Sequence, residues 1–266
     1  MTTNSSVNAD RIVVLMYHRI GKANNKWETK YCVSPERFSE HMYALRDMGM
    51  CACDISDFVA WMKGNQTLPS GSFLLTFDDG FLGVYEYAAP ILKNLGWSAT
   101  VFLVTSLLGQ QDKWSKTENP SGFTYPLLGQ AEISTMRDQG FSFHSHSRTH
   151  ADLSSLPVEL LHQELGGSRI ELEEVLGGPV SYVAYPYGRF NDRILQIAQD
   201  TGYEAGFSVQ PGFNRPGQSL MEIRRLDIFG TDTATNLLRK VKFGSNDGSW
   251  SNMVRYYSNR FFKRVI

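Results

Sequence analysis

Short apolar segments rich in β-branched and aromatic residues alternate along the chain with longer segments of helical apolar spacing. The short segments predict β-strands, and the longer ones predict amphipathic helices. The predicted strands cover residues 12–17, 73–77, 100–104, 141–143, 182–185, 205–209 and 223–228. This alternation favours an α/β fold in which a parallel sheet, closed or open, has helices outside it.

Capping residues mark the ends of the predicted helices. Ser34 followed by Pro35 is typical of a helix N-terminus, and Gly96 and Gly140 end two further helices. The predicted helices cover residues 35–48, 55–63, 84–95, 131–139, 157–176, 192–200 and 233–241. No linker or internal repeat interrupts the pattern, so we predict one domain.

The composition is that of a soluble globular protein, with 42% hydrophobic and 20% charged residues among 266. The net charge of -1 argues against nucleic acid as a partner, because nucleic-acid-binding proteins present a broad basic face. Residues 1–11 are polar, which predicts a disordered N-terminus without a secretory signal. No apolar run approaches the ~20 residues that span a bilayer, and we therefore expect a cytoplasmic protein.

The end of the chain is basic. From Arg239 onward it carries seven Lys or Arg residues and one acidic residue, Asp247. Residues 243–266 combine these charges with apolar residues at helical spacing, which predicts a basic amphipathic C-terminal helix. Such a helix either lies on an anionic membrane surface or packs against the domain. In the first case the protein would be peripheral on the inner membrane face.

Polar and titratable side chains follow four of the predicted strands. His18 follows the first strand, and Asp78 and Asp79 follow the second. The sequence HSHSRTH, residues 144–150, follows the fourth, and PYG, residues 186–188, follows the fifth. Because active sites of α/β barrels lie at the carboxyl ends of the strands, we expect these groups to share one cavity.

His146 and His150 lie four residues apart, a spacing that brings two imidazoles to one face of a helical turn. One carboxylate, assigned to Asp79, completes a two-histidine, one-carboxylate site for a divalent ion, with open positions for water and substrate. Asp78 is then free to act as a general base. Each motif alone has a simpler explanation as a turn or a chance histidine pair, but their combination after successive strands favours the site.

These motifs resemble those of the polysaccharide deacetylases with a NodB-homology domain, carbohydrate esterase family 4. TFDDG at residues 76–80, HSRTH at 146–150 and PYG at 186–188 occur in the family's order, and the resemblance covers roughly residues 10–230. It implies a distorted (β/α) barrel with about seven strands, here over residues 12–242. The chemistry it implies is hydrolysis of N-acetyl groups on amino sugars.

The resemblance also implies roles for individual residues. Asp78 corresponds to the general base. Asp79, His146 and His150 correspond to the ligands of a divalent metal ion, with zinc favoured and cobalt, nickel or manganese as alternatives. The turn formed by Pro186, Tyr187 and Gly188 would bind substrate, and a backbone N–H at Tyr187 would stabilise the oxyanion.

The chain departs from the family pattern in two places. Ala184 stands where the third motif usually has an arginine that orients the base, and no histidine follows His162 to serve as the acid. However, LMYHRI at residues 15–20 resembles the opening of the poly-β-1,6-N-acetylglucosamine N-deacetylase branch. That resemblance implies His18 as the general acid, and the alternative is a histidine with a structural role. Arg225 and Arg189 are the candidates to replace the missing arginine.

The sequence therefore predicts a metal-dependent hydrolase that removes N-acetyl groups from the amino sugars of a bacterial polysaccharide or a lipid-linked glycan. Two alternatives stay open. The first is a deformylase or cyclic-amide hydrolase of the same fold. The second is a catalytically silent glycan-binding protein that retains its metal, which the absent arginine at Ala184 suggests.

Overall fold

The computed structural model describes residues 8–249 and 251. Strands and helices alternate through the described chain as the apolar pattern predicts. The strands are β1 Val13–Tyr17, β2 Arg19–Ile20, β3 Cys32–Val33, β4 Cys51–Cys53, β5 Ser72–Phe77, β6 Thr100–Leu103, β7 Ser142–Ser145, β8 Tyr182–Ala184, β9 Ala205–Phe207 and β10 Leu226–Asp227. The α-helices are α1 Pro35–Asp47, α2 Ile55–Met62, α3 Ala89–Leu95, α4 Ser115–Glu118, α5 Gln130–Asp138, α6 Val158–His162, α7 Ser168–Leu176, α8 Asp192–Asp200 and α9 Ala234–Phe243.

The main sheet is parallel, with the strand order β10-β1-β5-β6-β7-β8-β9. β1 and β5 pair in full register from Val13 opposite Phe73 to Tyr17 opposite Phe77. On the other edge of β5, β4 pairs with its first half and β6 with its last residues. β4 is not among the strands predicted from the apolar pattern. β2 and β3 form a separate two-stranded parallel sheet.

The two ends of the sheet are joined by one segment of chain. Ile223 forms a parallel bridge to Phe207 of β9, and three residues later Leu226 pairs with Leu15 of β1. The predicted strand 223–228 is therefore split between two neighbours, and this split brings the sheet round into a barrel. The predicted distorted (β/α) barrel with about seven strands is confirmed, with β4 as an addition.

Both faces of the strands are buried, as expected for a parallel sheet covered by helices. Residues such as Leu15, Leu75 and Val101 pack outward into the core beneath the helices. The alternate residues, among them Val14 and Leu74, pack inside the barrel with apolar residues of α2. The cavity described below lies at the carboxyl ends of the strands, because His18, Asp78 and Asp79 line it directly after β1 and β5.

Two of the predicted helices are interrupted by π-helical turns. The predicted helix 84–95 begins with the π-turn Val84–Ala88, because Pro90 lacks the N–H that a regular α-helix would use. The predicted helix 157–176 is divided by a second π-turn, Gln163–Gly167, which contains two adjacent glycines of low helix propensity.

The termini bear on the predicted domain limits. Within the N-terminal stretch expected to be disordered, the Ala9 N–H donates to Leu68 O at 2.8 Å, so the last residues of that stretch are tied to the domain. Residues 1–7 lie outside the described part. Most of the predicted C-terminal helix 243–266 also lies outside it. α9 ends at Phe243, and Gly244 follows with a left-handed φ of 61°. Within 8–249, no helix combines the length and apolar character needed to cross a membrane.

Candidate active site

β5 carries the two adjacent aspartates at its carboxyl end. The strand is buried along its whole length, and the Asp78 N–H extends the pairing with a hydrogen bond of 2.9 Å to Tyr17 O. Asp79 then turns the chain with a φ of 73°, and Gly80 follows with a φ of 79°. Left-handed φ values suit aspartate and glycine better than most residues. The carboxylates of Asp78 and Asp79 are both buried, and they contact different groups.

Asp79 meets the two predicted histidines. Its Oδ1 lies 3.3 Å from Nε2 of His146 and 3.3 Å from Nε2 of His150. Each of the three residues offers a ligand atom, these atoms lie within 4.8 Å of one another, and all three residues are buried. We refer to Asp79, His146 and His150 as the ligand cluster.

The hydrogen bonding of the ligand cluster fits a bound cation. Nδ1 of His146 donates to Ala184 O at 2.8 Å, so Nε2 presents a lone pair toward Asp79. Asp79 Oδ1 and His150 Nδ1 are buried without a hydrogen-bond partner among the described residues. A carboxylate and a lone pair facing each other in a buried site repel unless a positive charge lies between them. Two imidazole nitrogens and one carboxylate oxygen suit zinc and similar divalent ions.

The charges of this region act strongly on one another. Burial disfavours ionisation of His146, but the Asp78 and Asp79 carboxylates raise its pKa. Burial also opposes ionisation of Asp79, yet the two imidazoles beside it hold its pKa well below the ordinary value. The pKa of His150 is lowered, because burial outweighs the attraction of Asp79. The cluster therefore keeps an ionised carboxylate in a buried position.

His146 and His150 lie on a loop, so the helical turn expected from their spacing is wrong. Ser147 and His150 both have a left-handed φ of 64°. Glu164 accepts the backbone N–H groups of Arg148 and Thr149 at 3.0 and 2.9 Å, which supplies the loop with partners that a helix would provide internally. The imidazoles still converge, with ring centroids 5.1 Å apart.

Asp78 forms a buried ion pair with Arg225. The guanidinium donates from Nη1 to Oδ1 at 2.6 Å and from Nη2 to Oδ2 at 2.8 Å, and both residues are buried. Burial opposes ionisation of Asp78, but Arg225 lowers its pKa below the usual range. Of the two candidates for the arginine absent at Ala184, Arg225 is the one that contacts Asp78. Arg189 pairs instead with Asp152.

His18 lines the same cavity as the ligand cluster, directly after β1. Its ring packs against Tyr31, with centroids 5.1 Å apart. Asp227, at the end of β10, also lines the cavity. Burial raises the pKa of Asp227, and the charges of His18 and Arg225 oppose that rise. Sequence reasoning missed Asp227, although an aspartate at the end of a predicted strand was an available signal.

Pro186, Tyr187 and Gly188 form a 3-10 turn directly after β8. Tyr187 has a left-handed φ of 58°, and its ring centroid lies 4.7 Å from that of His150. Gly188 also has a left-handed φ, and a Cβ there would lie 2.1 Å from Val209 Cγ2. Tyr187 and Gly188 line the cavity, while Pro186 is buried beneath it. The turn thus lies beside the ligand cluster.

The cavity has a volume of about 360 Å³ and holds the groups predicted to share one site. It also has aromatic walls, which sequence reasoning did not assign because an aromatic residue in a long loop carries no signal of its direction. These rings belong to Trp27, Tyr31, Phe81, Trp114, Tyr125, Tyr185 and Phe229. The Trp114 indole stacks on His150 with centroids 4.2 Å apart.

Solved structures of deacetylases share this architecture. The deacetylase PplD of Streptococcus pyogenes, determined in complex with acetate, matches with a TM-score of 0.74 and 27% identity, covering 87% of this chain and 98% of that one. IcaB from Ammonifex degensii matches with a TM-score of 0.72 and 25% identity, over 83% and 92% of the two chains. The barrel is thus of the deacetylase class.

Sequence comparison identifies the family. The profile of the family described as polysaccharide deacetylase matches residues 65–206, more than half of the chain. The poly-beta-1,6-N-acetyl-D-glucosamine N-deacetylase of Staphylococcus aureus is 24% identical over 248 residues, 86% of this chain and 82% of that protein. The chain belongs to the polysaccharide deacetylase family. The matched region includes Asp78 and the whole ligand cluster, whereas His18 and Arg225 lie outside it.

Proposed function

We propose that this protein is a metal-dependent deacetylase that removes N-acetyl groups from the amino sugars of a polysaccharide or a lipid-linked glycan. The observation that carries the proposal is the pairing of two carboxylates with separate partners at one strand end. Asp79 faces two imidazoles as a ligand would, and Asp78 is held by Arg225 beside it. Family membership gives the reaction, and the N-deacetylase of Staphylococcus aureus suggests N-acetylglucosamine as the sugar.

Asp79, His146 and His150 are the residues that would hold the ion. When bound there, a divalent cation polarises an acetamide carbonyl and lowers the pKa of the attacking water. Asp78 is ionised and oriented by Arg225, and in this proposal it accepts the proton of that water. Zinc is the first candidate, because it commonly combines imidazole and carboxylate ligands.

His18 completes the proton transfers in this proposal. Protonated His18 donates to the departing amino nitrogen as the carbon–nitrogen bond breaks, so the products are acetate and the free amino sugar. Asp227 lines the same cavity as His18. The Tyr187 N–H is proposed to donate to the oxyanion that forms on the acetamide oxygen.

The contact between Arg225 and Asp78 also bears on the catalytically silent alternative. The absent arginine at Ala184 was the reason to consider a protein that binds metal and glycan without reacting. Arg225, the residue before β10, supplies that contact, so this reason no longer holds. The deformylase and cyclic-amide alternatives use the same chemistry, and the product distinguishes them, because a deformylase releases formate.

The first test is acetate release from a panel of N-acetylglucosamine oligosaccharides by metal-stripped protein, before and after addition of zinc, cobalt, nickel or manganese. We expect release to depend on the metal. Asp78→Asn should retain metal binding and lose most of the rate, because it removes the base and leaves the ligand cluster intact. Metal binding without acetate release by the unmodified protein would contradict the proposal.

A further inference from the structure

A loop after β6 forms one side of the cavity. Trp114, Ser115, Glu118 and Tyr125, all within residues 112–125, line it. The loop is joined at two places to loops that follow other strands. We call residues 112–125 together with these two junctions the rim.

The first junction is buried and charged. Glu28, in the segment that follows β2, accepts hydrogen bonds from Tyr125 Oη at 2.5 Å and Asn119 Nδ2 at 2.8 Å. The same carboxylate pairs with Arg19 at 2.7 Å, and the Arg19 guanidinium lies 3.6 Å from the centre of the Tyr125 ring. Separating these loops would remove two hydrogen-bond donors, Tyr125 Oη and Asn119 Nδ2, from a buried carboxylate, and this loss would cost free energy.

The second junction is exposed. Glu118 Oε1 accepts a hydrogen bond of 2.6 Å from Tyr187 Oη, across the loop that carries His150. The Tyr187 side chain is 39% exposed, and Glu118 is exposed as well. This hydrogen bond joins the loop after β6 to the turn after β8, and it competes with water more than the Glu28 junction does.

Together the junctions make a continuous boundary. In the sheet, β1, β5, β6, β7 and β8 are successive neighbours, and the rim runs from the loop beyond β1 and β2 to the turn after β8. The two junctions therefore tie together the loops on this side of the cavity. The cavity volume of about 360 Å³ is also at the small end of the range for ligand cavities, about 300–1,000 Å³.

We propose that the rim restricts the site to the terminal N-acetylated sugar of a glycan, and that the hydrogen bond between Glu118 and Tyr187 determines this specificity. The inference rests on the proposed function, since it assigns the substrate class of the same site. A terminal unit enters the cavity from the side of β9 and β10. When an internal sugar is bound, the glycan chain must leave the cavity on both sides of that sugar, and the rim blocks one of these two sides.

The test uses the zinc-loaded protein and an N-acetylglucosamine pentasaccharide, with the position of each lost acetyl group read by tandem mass spectrometry. The unmodified protein should deacetylate terminal units about tenfold faster than internal ones. Glu118→Ala opens the exposed junction and should bring the two rates to within about threefold. Tyr187→Phe removes the donor of the same hydrogen bond and should change the preference in the same direction. Glu174→Ala, an exposed glutamate outside the cavity, is the matched control and should keep the original preference.

Equal rates at terminal and internal units of the unmodified protein would overturn the inference and leave the proposed function standing. An unchanged preference in both Glu118→Ala and Tyr187→Phe would overturn the role given to their hydrogen bond. If no oligosaccharide loses acetate with any metal, the proposed function fails, and the substrate assignment fails with it.

Discussion

Arg225 and Asp78 satisfy each other inside the barrel. Each carboxylate oxygen receives one N–H of the guanidinium, and neither residue is appreciably exposed. Removing one member of a buried ion pair leaves the other charge without compensation, and this costs more than removing both. The contribution of this pair is therefore best measured by a double-mutant cycle.

We predict that Arg225→Met lowers the free energy of unfolding by about 3–5 kcal/mol, because it strands the Asp78 carboxylate in the barrel. Adding Asp78→Asn to Arg225→Met should recover a large part of that loss, since the stranded charge is gone. Urea unfolding of the single variants and the double variant checks both expectations. Strictly additive effects would show that the ion pair does not couple the two residues.

A second prediction concerns Gly188. Gly188→Ala places a Cβ 2.1 Å from Val209 Cγ2 at a position with a φ of 65°. We expect a loss of about 1–3 kcal/mol in unfolding free energy. Val209→Ala in the same chain should restore only part of the loss, because the Cβ of residue 209 would still lie 2.8 Å away and the left-handed backbone still disfavours alanine. Thermal unfolding of the single and double variants measures how much of the lost stability is recovered. Full recovery in the double variant would contradict a backbone contribution.

At the scale of elements, the loop between His146 and His150 shows how a correct motif can adopt an unexpected local structure. The four-residue spacing predicts a helical turn, but the chain uses left-handed residues and the Glu164 carboxylate from the π-turn Gln163–Gly167. That carboxylate lies 15 residues from Thr149 in sequence. No local pattern predicts a partner at such a distance.

We predict that Glu164→Ala weakens zinc binding about tenfold, because the loop that positions both histidines loses its acceptor for the Arg148 and Thr149 N–H groups. Isothermal titration with zinc measures the affinity. Glu159→Ala, an exposed glutamate on the preceding α6 helix, is the control and should bind zinc as the unmodified protein does. Equal affinities for the two variants would show that the loop keeps its geometry without Glu164.

The stability of the whole molecule should depend on pH through Asp112. This residue is buried, accepts a hydrogen bond from the Tyr125 N–H, and has an Oδ2 without a partner among the described residues. Burial raises its pKa from 3.8 to about 6. Between these two values the folded state binds more protons than the unfolded state, so the contribution of Asp112 to stability falls as the pH rises through this window.

Asp112→Asn removes this titration and can still accept the Tyr125 N–H. We expect the unfolding free energy of the variant, minus that of the unmodified protein, to be about 1–2 kcal/mol larger at pH 7.5 than at pH 4. Urea unfolding at both pH values gives the difference, in which contributions from other groups cancel. A difference that does not change with pH would mean that Asp112 titrates alike in the folded and unfolded states.

The α/β alternation, the parallel sheet and those residues of the candidate site that lie in motifs can be predicted from the amino-acid sequence. These features depend on local spacing, such as the apolar run of β5 followed by Asp78 and Asp79, and local spacing is visible in one dimension. The resemblance carried by TFDDG, HSRTH and PYG then indicated the barrel and the ligand cluster.

The distant residues that complete the site are visible only in the folded chain. Arg225 lies 147 residues from Asp78, and it reaches the carboxylate because segment 223–227 joins β9 to β1. Glu28 and Glu118 likewise join loops that are remote in sequence. Such contacts depend on how the strands are ordered around the barrel, and no spacing along the chain encodes that order.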